Sequence, residues 1–249
     1  MLKISFGVAK VNKYASRESG DTFELAERPS TAGGITGILV DGQGSGYSAK
    51  FLSNFVSGHC ATLIKQGVRD GVVARAANDQ LYHLKGGQVS ATLNLISADF
   101  TTRTLVISRN NPQPVYYCDS SPVEATAGAL SVIGLNQECQ ALGIYPRTKP
   151  VITEFGLKPG LVVVAFTDGF AEAGKRYNET PPSIPDFLSN RLSRPYDAQA
   201  LADELLELSM QADRRRPQDD TSVVVVTTHE FEASDGTSVP RRLSAEIAL

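Results

Sequence analysis

The sequence predicts an α+β protein built from mainly antiparallel sheets with helices packed on their faces. Three observations carry that expectation. Short β-favouring runs cluster in blocks, amphipathic helical patterns fall in pairs between the blocks, and the strict β-α alternation of a doubly wound parallel sheet is missing. A chain of 249 residues can bury roughly three quarters of its surface. No internal repeat or linker divides it. One domain over residues 1–230 is expected, followed by a polar, aperiodic tail over 231–249.

Composition narrows the class. Hydrophobic residues at 41% and charged residues at 20% suit an ordinary globular protein. A net charge of −3 lacks the basic excess of a nucleic-acid binder. Cys60, Cys118 and Cys139 are odd in number, far apart and in no CxxC arrangement, as expected of buried reduced thiols in a cytosolic protein. The N-terminal apolar run is too short for a secretory core. No run approaches the ~20 residues of a membrane span. A cytoplasmic protein with no nucleic-acid or membrane partner is expected.

In chain order, Leu2–Val11 reads as an opening strand. Runs at 22–25 and 34–40 follow, separated by the turn formers Arg28-Pro-Ser-Thr-Ala-Gly-Gly34. Asp41-Gly42 then leads through a glycine-rich loop into a helix over about 47–66, whose apolar face is read as Phe51, Phe55, Leu63 and Ile64, with Leu52 and Val56 beside them. His59 reads as a core histidine on that side. A second helix over about 71–84 buries Val72, Val73, Ala76, Leu81 and Leu84 and stops at Gly86-Gly87. Runs at 89–97, 103–109 and 113–118 read as a meander, with Asp99 and Arg109 as turn charges. A strand at 149–154 precedes the apolar run 161–167, of the kind found in a buried central strand. Helices follow at about 184–194 and Ala198–Ala212, then an apolar strand at 222–227. Arg214-Arg-Arg216 reads as a solvated helix end.

Four carboxylates stand out against this background. Asp41 and Asp168 directly follow strands, while Asp21 and Asp219 precede them. In an antiparallel sheet the end of one strand lies beside the start of its partner, so these positions fall on one edge. Asp21 and Asp41 close the same hairpin, where two like charges ~4 Å apart repel by about 4 kcal/mol at an effective dielectric of ~20. A cation removes that objection. Glycine after Asp41 and Asp168 lets backbone, including the Gly42 carbonyl, approach a ligand. Oxygen-only donors suit Mg²⁺ or Mn²⁺ rather than zinc or copper. Each Asp-Gly alone is ordinary turn chemistry; the set is what points to a metal.

Ser19-Gly-Asp21, Val40-Asp-Gly-Gln-Gly-Ser-Gly-Tyr-Ser-Ala49, Phe166-Thr-Asp-Gly-Phe-Ala-Glu-Ala173 and Gln218-Asp-Asp-Thr-Ser-Val-Val-Val225 together resemble the motifs of the metal-dependent protein phosphatases (type 2C, PPM). The likeness is to the bacterial SpoIIE-type and stress-response branch, and it spans about residues 19–227 in family order. It implies a four-layer α-β-β-α sandwich of two antiparallel sheets flanked by helices. The implied activity is hydrolysis of phosphoserine or phosphothreonine with two Mn²⁺ or Mg²⁺ ions. By motif, Asp41 and the Gly42 carbonyl would bridge both ions, Asp21 would hold one, partly through water, and Asp168 and Asp219 the other. Asp220 would stand behind them. The nucleophile would be a metal-bridging hydroxide, so no side chain is itself the catalytic nucleophile. The implied substrate is a small phosphorylated regulatory protein, anti-anti-sigma-like or a stress-complex component.

Two departures accompany the likeness. Gln43 and Ser45 stand where many relatives carry a histidine. Arg17 is one residue out of step with the arginine that holds phosphate in eukaryotic members, and reads rather as a solvated strand-end charge. The alternative reading is a non-catalytic partner-binding module of the same fold. A nucleotide-binding enzyme is weaker, because Gly42-Gln-Gly-Ser-Gly46 does not fit G-x-G-x-x-G.

Overall fold

A computed structural model describes residues 2–29, 33–120 and 130–230. The elements run β1 (Leu2–Val11), β2 (Asp21–Glu27), β3 (Gly34–Gly42), α1 (Gly46–Lys65), α2 (Asp70–Lys85), β4 (Ala91–Asp99), β5 (Thr104–Asn110), β6 (Val115–Asp119), β7 (Val132–Leu135), β8 (Val151–Gly156), β9 (Leu161–Phe166), α3 (Asp168–Glu172), α4 (Ile184–Arg191), α5 (Ala198–Ala212) and β10 (Thr221–Glu230). The strands form two five-stranded sheets, ordered β1-β10-β9-β6-β7 and β2-β3-β4-β5-β8. Among the described residues every strand pairing is antiparallel. That excludes the parallel crossover a dinucleotide fold requires. The expected tail over 231–249 and residues 30–32 of the first turn lie outside the described residues.

Three apolar seams make this an α-β-β-α sandwich. Ile38, Val40, Leu93 and Leu95 face α1 and α2. Val162, Val164, Val223 and Val225 face α4 and α5. The alternate residues, Leu39, Ile96, Val163, Ala165, Val224 and Val226, meet between the sheets. Side chains alternate along a strand, so a strand segment buried on both faces is best made of apolar residues. This is why β9 and the Val223–Val226 segment of β10 read as hydrophobic runs. Each fully buried Val, Leu or Ile side chain contributes roughly 1.5–3 kcal/mol.

Several sequence expectations need correction. The meander is broken: β4 pairs with β5, but β6 joins the other sheet between β9 and β7. Pro112 and Pro114 sit in the connection, and proline cannot donate to a ladder; β5 takes β8 as its neighbour instead. On α1 the buried face is Leu52, Val56, Cys60, Ala61 and Ile64. Phe51 is exposed and stacks on Phe55. On α2 the buried set is Val73, Ala74, Ala77 and Leu81, a three- and four-residue series that leaves Val72 and Leu84 exposed on the far side. Cys60 and Cys118 are buried thiols, whereas Cys139 is half-buried, its Sγ donating to the Asn111 carbonyl at 3.0 Å.

Arg109 is no turn charge. It is 1% exposed on β5, and its guanidinium donates to the carbonyls of Asn111 (2.7 Å), Gln113 (3.3 Å) and Gln137. These bonds tie the β5–β6 connection to the β7–β8 connection. Asp99 does behave as a turn residue, accepting from the amides of Thr101 and Thr102.

Candidate metal centre

The β2–β3 hairpin places Asp21 directly opposite Asp41. The Asp21 amide donates to Ser19 Oγ at 3.1 Å, and its carbonyl accepts from two lysines. Neither group faces Asp41, so the two residues form a non-hydrogen-bonded pair, in which Cα atoms approach to ~4.5 Å and side chains come closest. Beyond the pair, Gly42 N donates to the Gly20 carbonyl at 3.4 Å. A Cβ on Gly42 would lie 2.2 Å from the Ala49 carbonyl oxygen, so only glycine lets the first turn of α1 pack on this loop. Gly44 and Gly46 adopt φ of 98° and 68°, the left-handed region that favours glycine. The glycine-rich loop is thus a tight turn onto α1.

The opposite sheet delivers the remaining residues. Where β9 ends and β10 begins, Thr167 N donates to the Ser222 carbonyl at 3.1 Å and Ser222 N to Thr167 Oγ1 at 2.9 Å. Both hydroxyls then cross to the other sheet: Thr167 Oγ1 donates to Asp21 Oδ2 at 2.9 Å and Ser222 Oγ at 2.6 Å. Asp220 clamps the same rim by accepting from Lys13 N at 2.8 Å and Gly20 N at 2.7 Å. With both oxygens held by backbone amides, Asp220 acts as a support for the loops. Asp168 opens α3 one residue after Thr167, and Asp219 lies just ahead of β10. Asp21 and Asp220 are buried, while Asp41, Asp168 and Asp219 are half-buried above them.

Electrostatics bind these positions into one cluster. Burial raises the Asp41 carboxyl from 3.8 to about 9, and the charges of Asp21, Asp168, Asp219 and Asp220 push the same way. Asp168 is raised by burial and then by Asp219 and Glu172. Burial lifts Asp21 to about 7, against the Ser222 and Thr167 hydrogen bonds that favour its charged form. Asp41 therefore feels Asp21, Asp168, Asp219 and Asp220, carboxylates from separate parts of the chain.

The donor set fits a divalent cation. Among the described residues, buried Asp21 Oδ1 has no hydrogen-bond partner, and an orphaned carboxylate oxygen is costly unless a cation or donor meets it. The half-buried carboxylates and the Gly42 carbonyl are hard oxygen donors of the type that Mg²⁺ and Mn²⁺ prefer. Among the described residues, no three His, Cys, Asp or Glu groups form a ready-made cage. Mg²⁺ typically takes only one or two carboxylates and keeps several waters.

Other predicted positions fall elsewhere. Arg17 is exposed on the β1–β2 connection. Gln43 is stapled to the α2–β4 connection: its amide donates to the Ser90 carbonyl at 3.0 Å and its Oε1 accepts from Ser90 N at 2.8 Å. His59 is half-buried on α1, its imidazole lowered by burial. Sequence reasoning missed Thr167 and Ser222, although both lie inside the motifs it quoted. It also missed Lys10 and Lys50, for which no local signal exists.

The family profile of Stage II sporulation protein E (SpoIIE) matches residues 31–229. The chain belongs to this family, the SpoIIE-type branch of the PPM phosphatases. Among solved structures it is similar to the PP2C phosphatase domain, with a fragment of the regulatory domain, of SpoIIE from Bacillus subtilis. That match has 20% identity and a TM-score of 0.75, covering 93% of this chain and 65% of the other. The RsbU and RsbW domains of a Mycobacterium tuberculosis protein match at 17% identity and TM-score 0.72, over 91% of this chain and 60% of that one. The catalytic domain of the serine/threonine protein phosphatase PstP, solved with two manganese ions, matches at 16% and 0.67, over 92% and 100%. The chain thus spans under two thirds of the first and second of these. At such identities the likeness shows a shared fold. No curated protein sequence matches. Among the described residues, no helix is long and apolar enough to cross a membrane.

Proposed function

We propose that this chain is a Mn²⁺- or Mg²⁺-dependent protein serine/threonine phosphatase, with residues 1–230 as its catalytic domain. The observation that supports the reading is that Asp41, paired with Asp21 across the hairpin, feels the charges of Asp21, Asp168 and Asp219. Asp41 and the Gly42 carbonyl would hold both ions, Asp21 one, and Asp168 with Asp219 the other. When bound, such ions lower the pKa of water and neutralise charge on phosphoryl oxygens. The chain's part is to fix the donors. Thr167 and Ser222 hold Asp21 Oδ2 and leave Oδ1 for the cation. Asp220 holds the loop that carries Gly20. Gln43, bound to Ser90, keeps the turn after Gly42 in place. Gln43 and Ser45 stand where many relatives carry a histidine, and no side chain here is assigned as general acid.

The RsbU-type relative supports a phosphorylated regulatory protein of a partner-switching system as substrate. The test is hydrolysis of a phosphoserine protein by the purified chain with and without Mn²⁺. Turnover should require the ion, stop reversibly on chelation and be lost in Asp168→Asn. Metal-independent turnover, or full activity in that variant, would remove the assignment. A non-catalytic binding module would bind the phosphoprotein and leave it intact.

A further inference from the structure

Two lysines from distant parts of the fold meet beside the acidic rim. Lys10 lies on β1, opposite Ser222 in the register. Lys50 lies in the first turns of α1. Lys10 Nζ donates to the Asp21 carbonyl oxygen at 3.0 Å, and Lys50 Nζ donates to the same oxygen at 2.8 Å and to Thr22 Oγ1 at 2.9 Å. Two ammonium groups on one carbonyl are close neighbours and repel. Glu18, Asp21 and Asp220 supply negative charge nearby, yet among the described residues neither lysine forms an ion pair. An ammonium has three N–H donors. The bonds above use one from Lys10 and two from Lys50, so among the described residues three N–H groups have no acceptor.

The shared acceptor also fixes a direction. The Asp21 carbonyl points out of the β2–β3 pair, away from Asp41, whereas the Asp21 carboxylate points inward to Thr167 and Ser222. The lysines therefore stand at the free edge of β2, beside the residue that carries the Asp21 carboxylate. A cluster of acids repels an anion approaching it. A cationic pair at its margin offsets that repulsion and offers donors to oxygen atoms that the acids cannot bind.

We infer that Lys10 and Lys50 form an anion seat that holds oxygens of a tetrahedral phosphoryl group at the edge of the acidic centre. The seat receives the substrate's phosphoryl group and inorganic phosphate after hydrolysis. This deepens the phosphatase reading and rests on it. It gives phosphate positioning to these lysines in place of Arg17, which is exposed on its loop. They are positioning residues: the group they hold is bound in ground and transition states alike, so their loss falls on KM more than on kcat.

The probe is inorganic phosphate, measured two ways on the full chain with Mn²⁺: as a competitive inhibitor of phosphoserine-protein hydrolysis, and directly by calorimetry. Lys10→Met and Lys50→Met should each weaken phosphate about 5–20-fold and raise KM comparably, in line with charged hydrogen bonds of modest exposure. Lys50→Arg should restore most of the affinity. Mn²⁺ affinity, titrated separately, shows that the cation site survives. Unchanged phosphate affinity in both methionine variants would overturn the seat, even if both lowered the melting temperature, since that result marks a purely structural role. If the wild-type chain hydrolyses nothing but binds phosphate through these lysines, the seat stands and the phosphatase reading fails. If it hydrolyses normally and the variants bind phosphate as it does, the seat alone fails.

Discussion

Asp41→Asn should stabilise the metal-free protein while removing its activity. The Asp41 carboxyl is raised to about 9 by burial and by four neighbouring carboxylates. Its folded-state value lies above the ordinary 3.8, so the folded chain binds this proton more tightly than the unfolded one. Stability from this group is fully present below about pH 4 and is lost as pH rises toward about 9. At neutral pH the metal-free fold carries the strain. Taking a single like-charge neighbour at ~6 Å and an effective dielectric of ~20, the repulsion is about 3 kcal/mol. Asparagine removes it at nearly constant volume. For a chain of this size, ~3 kcal/mol corresponds to a rise in melting temperature of roughly 6–12 °C.

The assay is thermal unfolding of wild type and Asp41→Asn in chelator, from pH 5 to 9, repeated with Mn²⁺. In chelator the variant should melt higher, and the gap should widen with pH. At a Mn²⁺ concentration ~100 times its dissociation constant, the wild type gains about 2.7 kcal/mol. The variant gains little, so the gap closes. A metal-free variant that melts at or below wild type across the range would refute the claim that these carboxylates crowd one another.

Two further predictions concern the frame of the site. Gly42→Ala places a Cβ 2.2 Å from the Ala49 carbonyl oxygen, and backbone cannot yield cheaply, so we expect a loss of about 2–4 kcal/mol in urea unfolding and a fall in activity of more than tenfold. Arg109→Met keeps the apolar stem but strands the carbonyls of Asn111, Gln113 and Gln137. It should cost about 3 kcal/mol or more by the same assay, where a turn charge would cost less than 1.

The motifs made the candidate site legible because each aspartate sits at the boundary between an apolar run and a turn, a contrast that is local in the chain. The same contrast exposed the strands: β9 and the four valines of β10 are buried on both faces and read as apolar runs. The hairpin register followed from its turn, and with it the meeting of Asp21 and Asp41. The end of the 184–194 helix at Arg191 and the short helix opening at Asp168 escaped notice, because three-residue shifts at element ends barely change the pattern.

What the tertiary structure alone decided was which distant elements share a neighbour. Asn111-Pro112-Gln113-Pro114 serves equally as a hairpin turn or as a crossing to the other sheet, and only packing sent β6 across. Arg109 is polar by type, yet the carbonyls of Asn111, Gln113 and Gln137 allow it to be buried. The Thr167 and Ser222 hydroxyls on Asp21, and the two lysines on the Asp21 carbonyl, join residues up to 201 positions apart. Periodicity reports which face of its own element a side chain occupies. It carries no information about what a different element will bring to that face, and the Thr167, Ser222 and lysine contacts of Asp21 are of that second kind.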